Sequence, residues 1–188
     1  EALVPPFELS VFADPAGSFT TAAAMVACVE KVLKTRFNRD WKGTKVAVFG
    51  ATGVVGFAAS IIAALEGADV QLVAHRGVDR VIKSAAISKE RFGVDLEAVP
   101  GEPEDQKRDI IANAEVIFAA AAAGVQVVSK EHKELAKKLL VIADVNAVPP
   151  AGVEGMGLFM NGEPLPGGGA LGVGPLAIGD VKYKTESG

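Results

Sequence analysis

The chain has 188 residues, of which 49% are hydrophobic, and its formal net charge is −4. This length allows one domain, or a domain with part of a neighbour, and the acidic balance without a basic run argues against nucleic acid or an anionic membrane as the main partner. A single cysteine, Cys28, excludes an internal disulfide and any multi-cysteine metal site, and we expect no metal. No signal peptide or membrane span is predicted, so we expect a reducing, cytoplasmic location.

The first 40 residues predict a strand, a turn and a long helix. The strand is predicted at 8–13, the turn is the tetrapeptide 14–17 (DPAG), and apolar spacing predicts a helix over 22–38. Three hydroxyl side chains are candidates for the N-cap of this helix: Ser18, Thr20 and Thr21. We expect this region to belong partly to a second lobe and to link that lobe to the rest of the chain.

From residue 41 onward, apolar strands alternate with helices. The predicted strands lie at 45–50, 69–75, 94–98, 115–120 and 139–143, and the predicted helices at 53–66, 78–91, 102–113 and 129–138. This alternation indicates βαβ units, and therefore an α/β fold with a Rossmann-like, doubly wound parallel sheet. Ligands of such sheets bind beyond the carboxyl ends of the strands.

After Asp144 the chain becomes rich in glycine. Apolar residues interleave the glycines, which is unusual for a solvated linker, so we expect an ordered binding surface with a further helix starting near Pro175. The predicted division is therefore a lobe-linking segment at 1–40, a nucleotide-binding domain at 41–160 and a glycine-rich segment with a terminal helix at 161–188.

A glycine turn follows the first strand of the predicted sheet, in the stretch KVAVFGATGVVG at 45–56. Gly50 would allow a sharp turn, Gly53 would let backbone amides approach a pyrophosphate, and Gly56 would let the helix pack against the strand. The alternative is a glycine-rich βα turn that binds no ligand. The predicted cofactor-binding residues here are Gly50, Thr52, Gly53, Val54, Val55 and Gly56.

The end of the second strand bears on which dinucleotide binds. It reads Ala74-His75-Arg76-Gly77, without the carboxylate that would bind the adenosine ribose of NAD. Arg76 can instead bind a 2′-phosphate, with His75, Arg80 and Lys83 adding positive potential, so the sequence favours NADP over NAD. The alternative for Arg76 is an exposed loop residue. His132, in a charged helix, is predicted to be solvated.

Several longer segments carry a family resemblance. They are VPPF (4–7), VFADPAGSFTTAAAMVA (11–27), FGATGVVGFAA (49–59), ALEGA (64–68), DVNAVPPAGVEG (144–155) and GVGPLAIGDVKY (172–183). Together they resemble the bacterial NAD(P)-dependent methylenetetrahydromethanopterin dehydrogenases, which serve one-carbon transfer and formaldehyde oxidation in methylotrophy. Family members have additional residues at both ends, so we expect a fragment that retains remnants of a second, pterin-binding lobe.

The resemblance implies an enzyme that moves a hydride from the methylene carbon of a reduced pterin to NADP, with NAD possible, in a cytoplasmic homo-oligomer. Because no proton leaves carbon, a general base is unnecessary and the protein's tasks are orientation and charge placement. The residues implied on the pterin side are Asp14, Ser18, Thr20, Thr21 and Lys182. Those implied beside the cofactor are Ala119, Ala120, Asp144 and Asn146, and the resemblance gives catalytic roles to Asp14, Asp144 and Lys182.

Plainer roles remain open for these residues. Asp14 is a common turn residue, a threonine can simply cap a helix, and Lys182 can be solvated. Two other functions also remain open: another NADP-linked dehydrogenase, of the methylenetetrahydrofolate or shikimate type, and a nucleotide-binding module without catalysis.

Overall fold

The computed structural model describes residues 13–187, and a seven-stranded sheet lies at its centre. The strands are β1 (Lys45–Phe49), β2 (Asp69–Ala74), β3 (Glu97–Pro100), β4 (Val116–Ala119), β5 (Val141–Asp144), β6 (Asn161–Pro164) and β7 (Leu171–Val173). Their spatial order is β3-β2-β1-β4-β5-β7-β6, and every neighbouring pair is parallel except β6 with β7. This order confirms the predicted Rossmann-like, doubly wound sheet.

Six α-helices among the described residues cover the two faces of the sheet. They are α1 (Ser18–Phe37), α2 (Val54–Leu65), α3 (Asp79–Phe92), α4 (Glu104–Asn113), α5 (Lys130–Leu135) and α6 (Pro175–Ser187). Buried residues of α1, α2, α3 and α6 share one hydrophobic cluster with the sheet. Those of α4, and Ala136 just beyond α5, belong to the cluster on the opposite face. The helix predicted to start near Pro175 is confirmed as α6.

The strands are apolar on both faces because each face is covered by helices. In β1, Val46 and Val48 belong to one cluster, whereas Ala47 and Phe49 belong to the other. Successive strand side chains point to opposite faces, so a strand covered on both sides is a continuous apolar run. This is why apolar runs in the sequence predicted the strands.

Three predicted boundaries were wrong by three or more residues, and one of them is the end of α5, which lies at Leu135 instead of residue 138. Helix α1 begins at Ser18, four residues before the predicted start, because Asp14 accepts hydrogen bonds from the amides of Phe19 and Thr20 at 2.7 and 3.1 Å. Strand β3 begins at Glu97 rather than at residue 94, although Val94 is buried in the preceding loop. The strand predicted at 8–13 lies outside the described residues, apart from Ala13.

Helix α1 and the last two strands are continuous with the rest of the fold. Residues of α1 lie in the same hydrophobic cluster as the sheet, and β7 pairs with β5. The predicted domain boundaries after residues 40 and 160 therefore fall within a continuously packed structure. That either end of the chain folds as a separate unit stays a prediction. The helical stretch 15–37 is long and apolar enough to span a membrane, but its buried residues form part of the core, as in many soluble proteins.

Candidate functional site

A cavity of about 540 Å³ opens at the carboxyl ends of the strands. The loops that follow β1, β2, β3 and β4 all contribute to its wall. Strand β1 lies between β2 and β4, and the chain leaves β1 and β4 toward helices on opposite faces of the sheet. Doubly wound sheets bind their ligands at such a point, so this cavity is the candidate nucleotide site.

The glycine turn after β1 is packed too closely for larger residues at two positions. Gly50 has φ +83°, and a Cβ there would lie 2.1 Å from the carbonyl oxygen of Ala120 in the neighbouring loop. A Cβ at Gly56 would lie 2.5 Å from the carbonyl oxygen of Gly50. Gly53 differs from both, because its φ is −81° and a Cβ there would meet only one atom, at 3.3 Å. The fold therefore requires glycine at 50 and 56, and it leaves Gly53 available for a function at the surface.

Helix α2 begins directly after this turn. Its N-cap is Gly53, and no side chain caps it. The amides of its first turn point outward from the helix end without intrahelical acceptors, and the helix dipole adds partial positive charge. Such an end can bind a phosphate group. Thr52 lines the adjoining cavity, and Val54 is exposed.

The loop after β2 brings positive charge to the cavity. His75, Arg76 and Arg80 are exposed and line it, and Arg76 forms no ion pair with residues 13–187. Its guanidinium group is therefore available to an anionic ligand. Lys83 is also exposed, but it does not line the cavity. His75 and Arg76 thus line the cavity and Lys83 does not, and a role in cofactor binding stays a prediction for all three.

Sequence reasoning missed three charged residues of this cavity, Glu102, Glu104 and Lys107. They follow β3, which the sheet places beside β2. Lys107 is half-buried, and its Nζ lies 6.0 Å from the ring centroid of Phe49. Burial lowers the pKa of Lys107, against the opposing charge of Glu104. In the sequence, the acidic residues that follow the third predicted strand were the signal that could have indicated this part of the cavity.

His132 is buried, so the prediction that it is solvated was wrong. Its Nδ1 accepts a hydrogen bond from the amide of Ser129 at 3.0 Å, and its Nε2 lies 2.6 Å from Oε1 of Glu104. The proton therefore resides on Nε2, which donates to Glu104. This hydrogen bond is the main cause that lowers the pKa of Glu104. His132 thus links α5 to a residue of the cavity wall.

The two alanines predicted beside the cofactor, Ala119 and Ala120, lie at the carboxyl end of β4 and do not line the cavity. Ala119 is buried, and the amide of Ala120 donates to the carbonyl of Phe49 at 2.8 Å. The next two residues, Ala121 and Ala122, line the cavity. A place beside the cofactor therefore stays a prediction for Ala119 and Ala120.

Asp144 has no exposed surface, which disagrees with its predicted place beside the nicotinamide. Its Oδ1 accepts from the amide of Asn146 at 2.8 Å and its Oδ2 from the amide of Val153 at 2.9 Å, and Gly152 donates a further backbone hydrogen bond. Burial raises the pKa of Asp144, whereas these amides lower it. Asp144 thus shapes the loop after β5.

Asn146, the other predicted residue of that loop, is also committed to it. Its side-chain Nδ2 donates to the carbonyl of Pro150 at 2.9 Å, and its Oδ1 accepts from the amide of Val148 at 2.9 Å. The side chain is 7% exposed. Neither Asp144 nor Asn146 lines the candidate nucleotide site.

The residues predicted on the pterin side gather at the start of α1. Asp14 accepts from the Thr20 hydroxyl at 2.6 Å, and the hydroxyls of Thr20 and Thr21 lie 3.1 and 2.6 Å from the carbonyl oxygen of Gly17. Desolvation raises the pKa of Asp14, but the hydrogen bonds that it accepts from the Thr20 hydroxyl and from the amides of Phe19 and Thr20, with the positive charge of Lys182, outweigh it and lower the pKa. Lys182 on α6 is therefore near Asp14. Ser18, the first residue of α1, is half-buried.

The side chains of Asp14, Thr20 and Thr21 also stabilise the helix start, which is the plainer role left open by the sequence. Two amides of the first turn of α1 find their acceptor in Asp14. The grouping with Lys182 nevertheless brings all five predicted substrate residues to one end of α1. Among residues 13–187, no group of three or more His, Cys, Asp or Glu side chains is placed to hold a metal ion.

Comparison with known proteins identifies two similar relatives in Methylorubrum extorquens. The chain is 52% identical over 186 residues to the NAD(P)-dependent methylenetetrahydromethanopterin dehydrogenase, an alignment that covers 99% of this chain and 63% of that protein. It is 32% identical over 181 residues to the bifunctional protein MdtA, with 96% and 60% covered. The first similarity confirms the resemblance predicted from the sequence motifs. The chain spans less than two thirds of either relative.

Solved structures support the fold alone. An L-alanine dehydrogenase superposes with a TM-score of 0.62 at 19% identity, covering 89% of this chain and 51% of that chain. A comparison with models of known protein families finds no match.

Proposed function

We propose that this chain is the nucleotide-binding part of a bacterial NAD(P)-dependent methylenetetrahydromethanopterin dehydrogenase. The reaction would transfer a hydride from the methylene carbon between two pterin nitrogens to the nicotinamide of NADP or NAD. The identity of 52% over nearly the whole chain supports this assignment. The relative's activity is that of a longer protein, so the full-length protein is the form in which the proposal applies.

The observation that carries the proposal is the uncapped start of α2 beside the cavity. Gly50 and Gly56 let this helix start close to the carboxyl end of β1, and the backbone amides of its first turn can bind a pyrophosphate. Arg76 and Arg80 line the same cavity and can bind further anionic groups of a nucleotide. These residues fit a dinucleotide, and they favour NADP because no acid ends β2.

The chain's own residues would contribute orientation and charge. When bound, the nicotinamide supplies the hydride acceptor. The departing hydride leaves positive charge on the pterin, and no proton is removed from carbon. A carboxylate near this charge would stabilise it. Asp14 is half-buried and has a lowered pKa, so it is ionised at neutral pH and suits this role better than the buried Asp144.

Lys182 would complete the pterin side. It lies near enough to Asp14 for its charge to lower the pKa of that carboxyl. An ammonium group there can donate to a pterin carbonyl, in a role that positions the substrate. Ser18, Thr20 and Thr21 would line the same region through their position at the start of α1.

The direct test is an activity assay of the full-length protein. It would be mixed with methylenetetrahydromethanopterin and either NADP or NAD, and the absorbance of the reduced nicotinamide would be followed. Methylenetetrahydrofolate and shikimate would serve as comparison substrates. We expect turnover with the methanopterin substrate. Turnover with a comparison substrate alone would favour another dehydrogenase, and nucleotide binding without any turnover would favour a non-catalytic module.

We further propose a cytoplasmic homo-oligomer with no nucleic-acid or membrane partner. The net charge of −4 and the single buried cysteine support the location and the absence of such partners. Exposed apolar side chains such as Phe159, which is 77% exposed, support a protein surface that is covered in the full-length assembly. Light scattering of the full-length protein would measure the oligomeric state.

A further inference from the structure

The ends of β2 and β3 are held side by side. Ala74 is paired with Pro100, and the amide of Gly101 donates to the carbonyl of Ala74 at 3.0 Å. A Cβ at Gly101 would lie 2.3 Å from Cγ1 of Val73, so the loop after β3 contacts β2 directly. This packing brings the next residue, Glu102, to the same edge of the sheet as the loop after β2.

Glu102 lines the cavity together with Arg76 and Gly77. Its Oε2 accepts a hydrogen bond from the amide of Gly77 at 3.3 Å, and the side chain is exposed. The residue next to Gly77 is Arg76, which forms no ion pair with Glu102 or with any other residue of the described part of the chain. The carboxylate and the guanidinium group thus face the same cavity without neutralising each other by direct contact.

We propose that Glu102 selects between the two nucleotides. Its carboxylate would accept hydrogen bonds from the hydroxyls of the adenosine ribose in NAD and repel the 2′-phosphate of NADP, whereas Arg76 would attract that phosphate. The acid that other Rossmann domains carry at the end of the second strand is here supplied by the end of the third. This inference rests on the proposed function, because it concerns the same nucleotide site.

Two opposed groups at one ribose explain how a single site can accept both nucleotides. Hydrogen bonds to ionised groups are about twice as strong as neutral ones, so each nucleotide gains a charge-assisted contact that the other does not make. Neither nucleotide is then excluded. A structural role alone for Glu102, holding the turn at Gly77, would affect both nucleotides equally.

The test compares Glu102→Gln with the matched control Glu90→Gln. Glutamine keeps an acceptor for the amide of Gly77 and removes only the charge, so the loop keeps its hydrogen bond. Glu90 is an exposed residue of α3 that does not line the cavity, and its replacement changes the net charge by the same amount. The binding of NADH and NADPH to the full-length protein would be titrated by nicotinamide fluorescence, with 5′-AMP and 2′,5′-ADP as competitors.

For Glu102→Gln, we expect NADPH and 2′,5′-ADP to bind about three- to tenfold more tightly and NADH and 5′-AMP to bind more weakly, as for one charged contact at an exposed site. Glu90→Gln should leave the NADPH-to-NADH ratio unchanged. An unchanged ratio in Glu102→Gln, or equal shifts for both nucleotides, would overturn the inference. An altered ratio in a protein without hydride transfer would support the inference and contradict the proposed function, whereas failure of the unaltered protein to bind either nucleotide would overturn both.

Discussion

At the scale of single residues, Arg76 is the group that we propose binds a 2′-phosphate. It is exposed, lines the cavity and makes no ion pair with the described residues. We expect Arg76→Ala to weaken NADP binding by about 1–3 kcal/mol, the value of one charge-assisted contact, and to leave NAD binding nearly unchanged. Fluorescence titration with both reduced nucleotides measures the two affinities.

Lys83 provides the control for this prediction. It carries the same charge on the same helix as Arg80 but lies outside the cavity. Lys83→Ala should therefore have little effect on either nucleotide. If Arg76→Ala weakens NAD and NADP equally, the contact of Arg76 is with a group that both nucleotides share.

Asp144 is the residue whose predicted and observed roles differ most. Asp144→Ala would leave the buried amides of Asn146 and Val153 without an acceptor, although it also removes a buried charge. We expect a net loss of about 1–3 kcal/mol in the free energy of unfolding at neutral pH. Urea denaturation followed by circular dichroism measures this value. Unchanged stability would mean that the loop after β5 finds other acceptors.

The raised pKa of Asp144 also determines the direction in which protein stability changes with pH. The folded protein binds this proton more tightly than the unfolded chain does, so the contribution of Asp144 to stability is greatest in acid and falls as the pH rises above the ordinary Asp pKa. Asp144→Asn removes that group from the titration. We expect the variant to lose less stability than the parent protein over this rise in pH, with denaturation midpoints at several pH values as the measurement.

At the scale of helices and strands, the sequence predicted what depends on local pattern. Buried parallel strands are continuous apolar runs, and so β1, β2, β4 and β5 were found within one or two residues. The start of β3 was predicted three residues too early because the apolar residue Val94 is buried in a loop and does not belong to the strand. The start of α1 was misplaced because its capping carboxylate, Asp14, lies several residues before it.

The site was predicted less completely because its residues come from strands that are neighbours only in the sheet. Glu102 and Arg76 are brought together by the pairing of β3 with β2, and no local pattern records that contact. The burial of His132 depends likewise on α4 packing against α5. The turn at Gly50 and the close packing at Gly56 were predicted correctly because both are set within one βα unit.

The turn between β1 and α2 allows a prediction that separates binding from folding. Gly53 has an ordinary backbone conformation and only one close neighbour, so Gly53→Val should fold. Its side chain would block the approach of a pyrophosphate to the amides of α2, and we expect binding of NADP and NAD to be lost. Titration together with a thermal unfolding curve tests both halves. Retained affinity would mean that this turn serves the fold alone.

Substitutions at two other glycines serve as comparisons for Gly53→Val. Gly56→Ala would place a Cβ 2.5 Å from the carbonyl oxygen of Gly50, so it should lower stability as well as binding. Gly179 in α6 has no atom within 4 Å of the corresponding position, and Gly179→Ala should leave binding unchanged. Alanine in a helix interior is favoured over glycine by about 0.5–1 kcal/mol, so this control should be at least as stable as the parent protein.

At the scale of the whole molecule, the question is whether the glycine-rich segment folds with the nucleotide-binding sheet. Lys133 of α5 is 3% exposed, and its Nζ donates to the carbonyl oxygens of Glu154 and Pro166. Burial lowers the pKa of this lysine. In the chain, Glu154 precedes β6 and Pro166 follows it, so the Lys133 side chain connects α5 to residues on both sides of this strand.

Lys133→Met keeps the apolar stem of the side chain and removes the donor from both carbonyls. We expect the free energy of unfolding to fall by about 2–4 kcal/mol, since each carbonyl left unsatisfied in the interior costs about 1–3 kcal/mol. Lys137→Met, at an exposed position just beyond α5, is the matched control and should be close to neutral. Because β7 pairs with β5 inside the sheet, the loss should appear in one cooperative transition, with hydrogen exchange rising in β5 and β7 together. Two separate transitions, with exchange rising only beyond residue 160, would instead support a separate folding unit there.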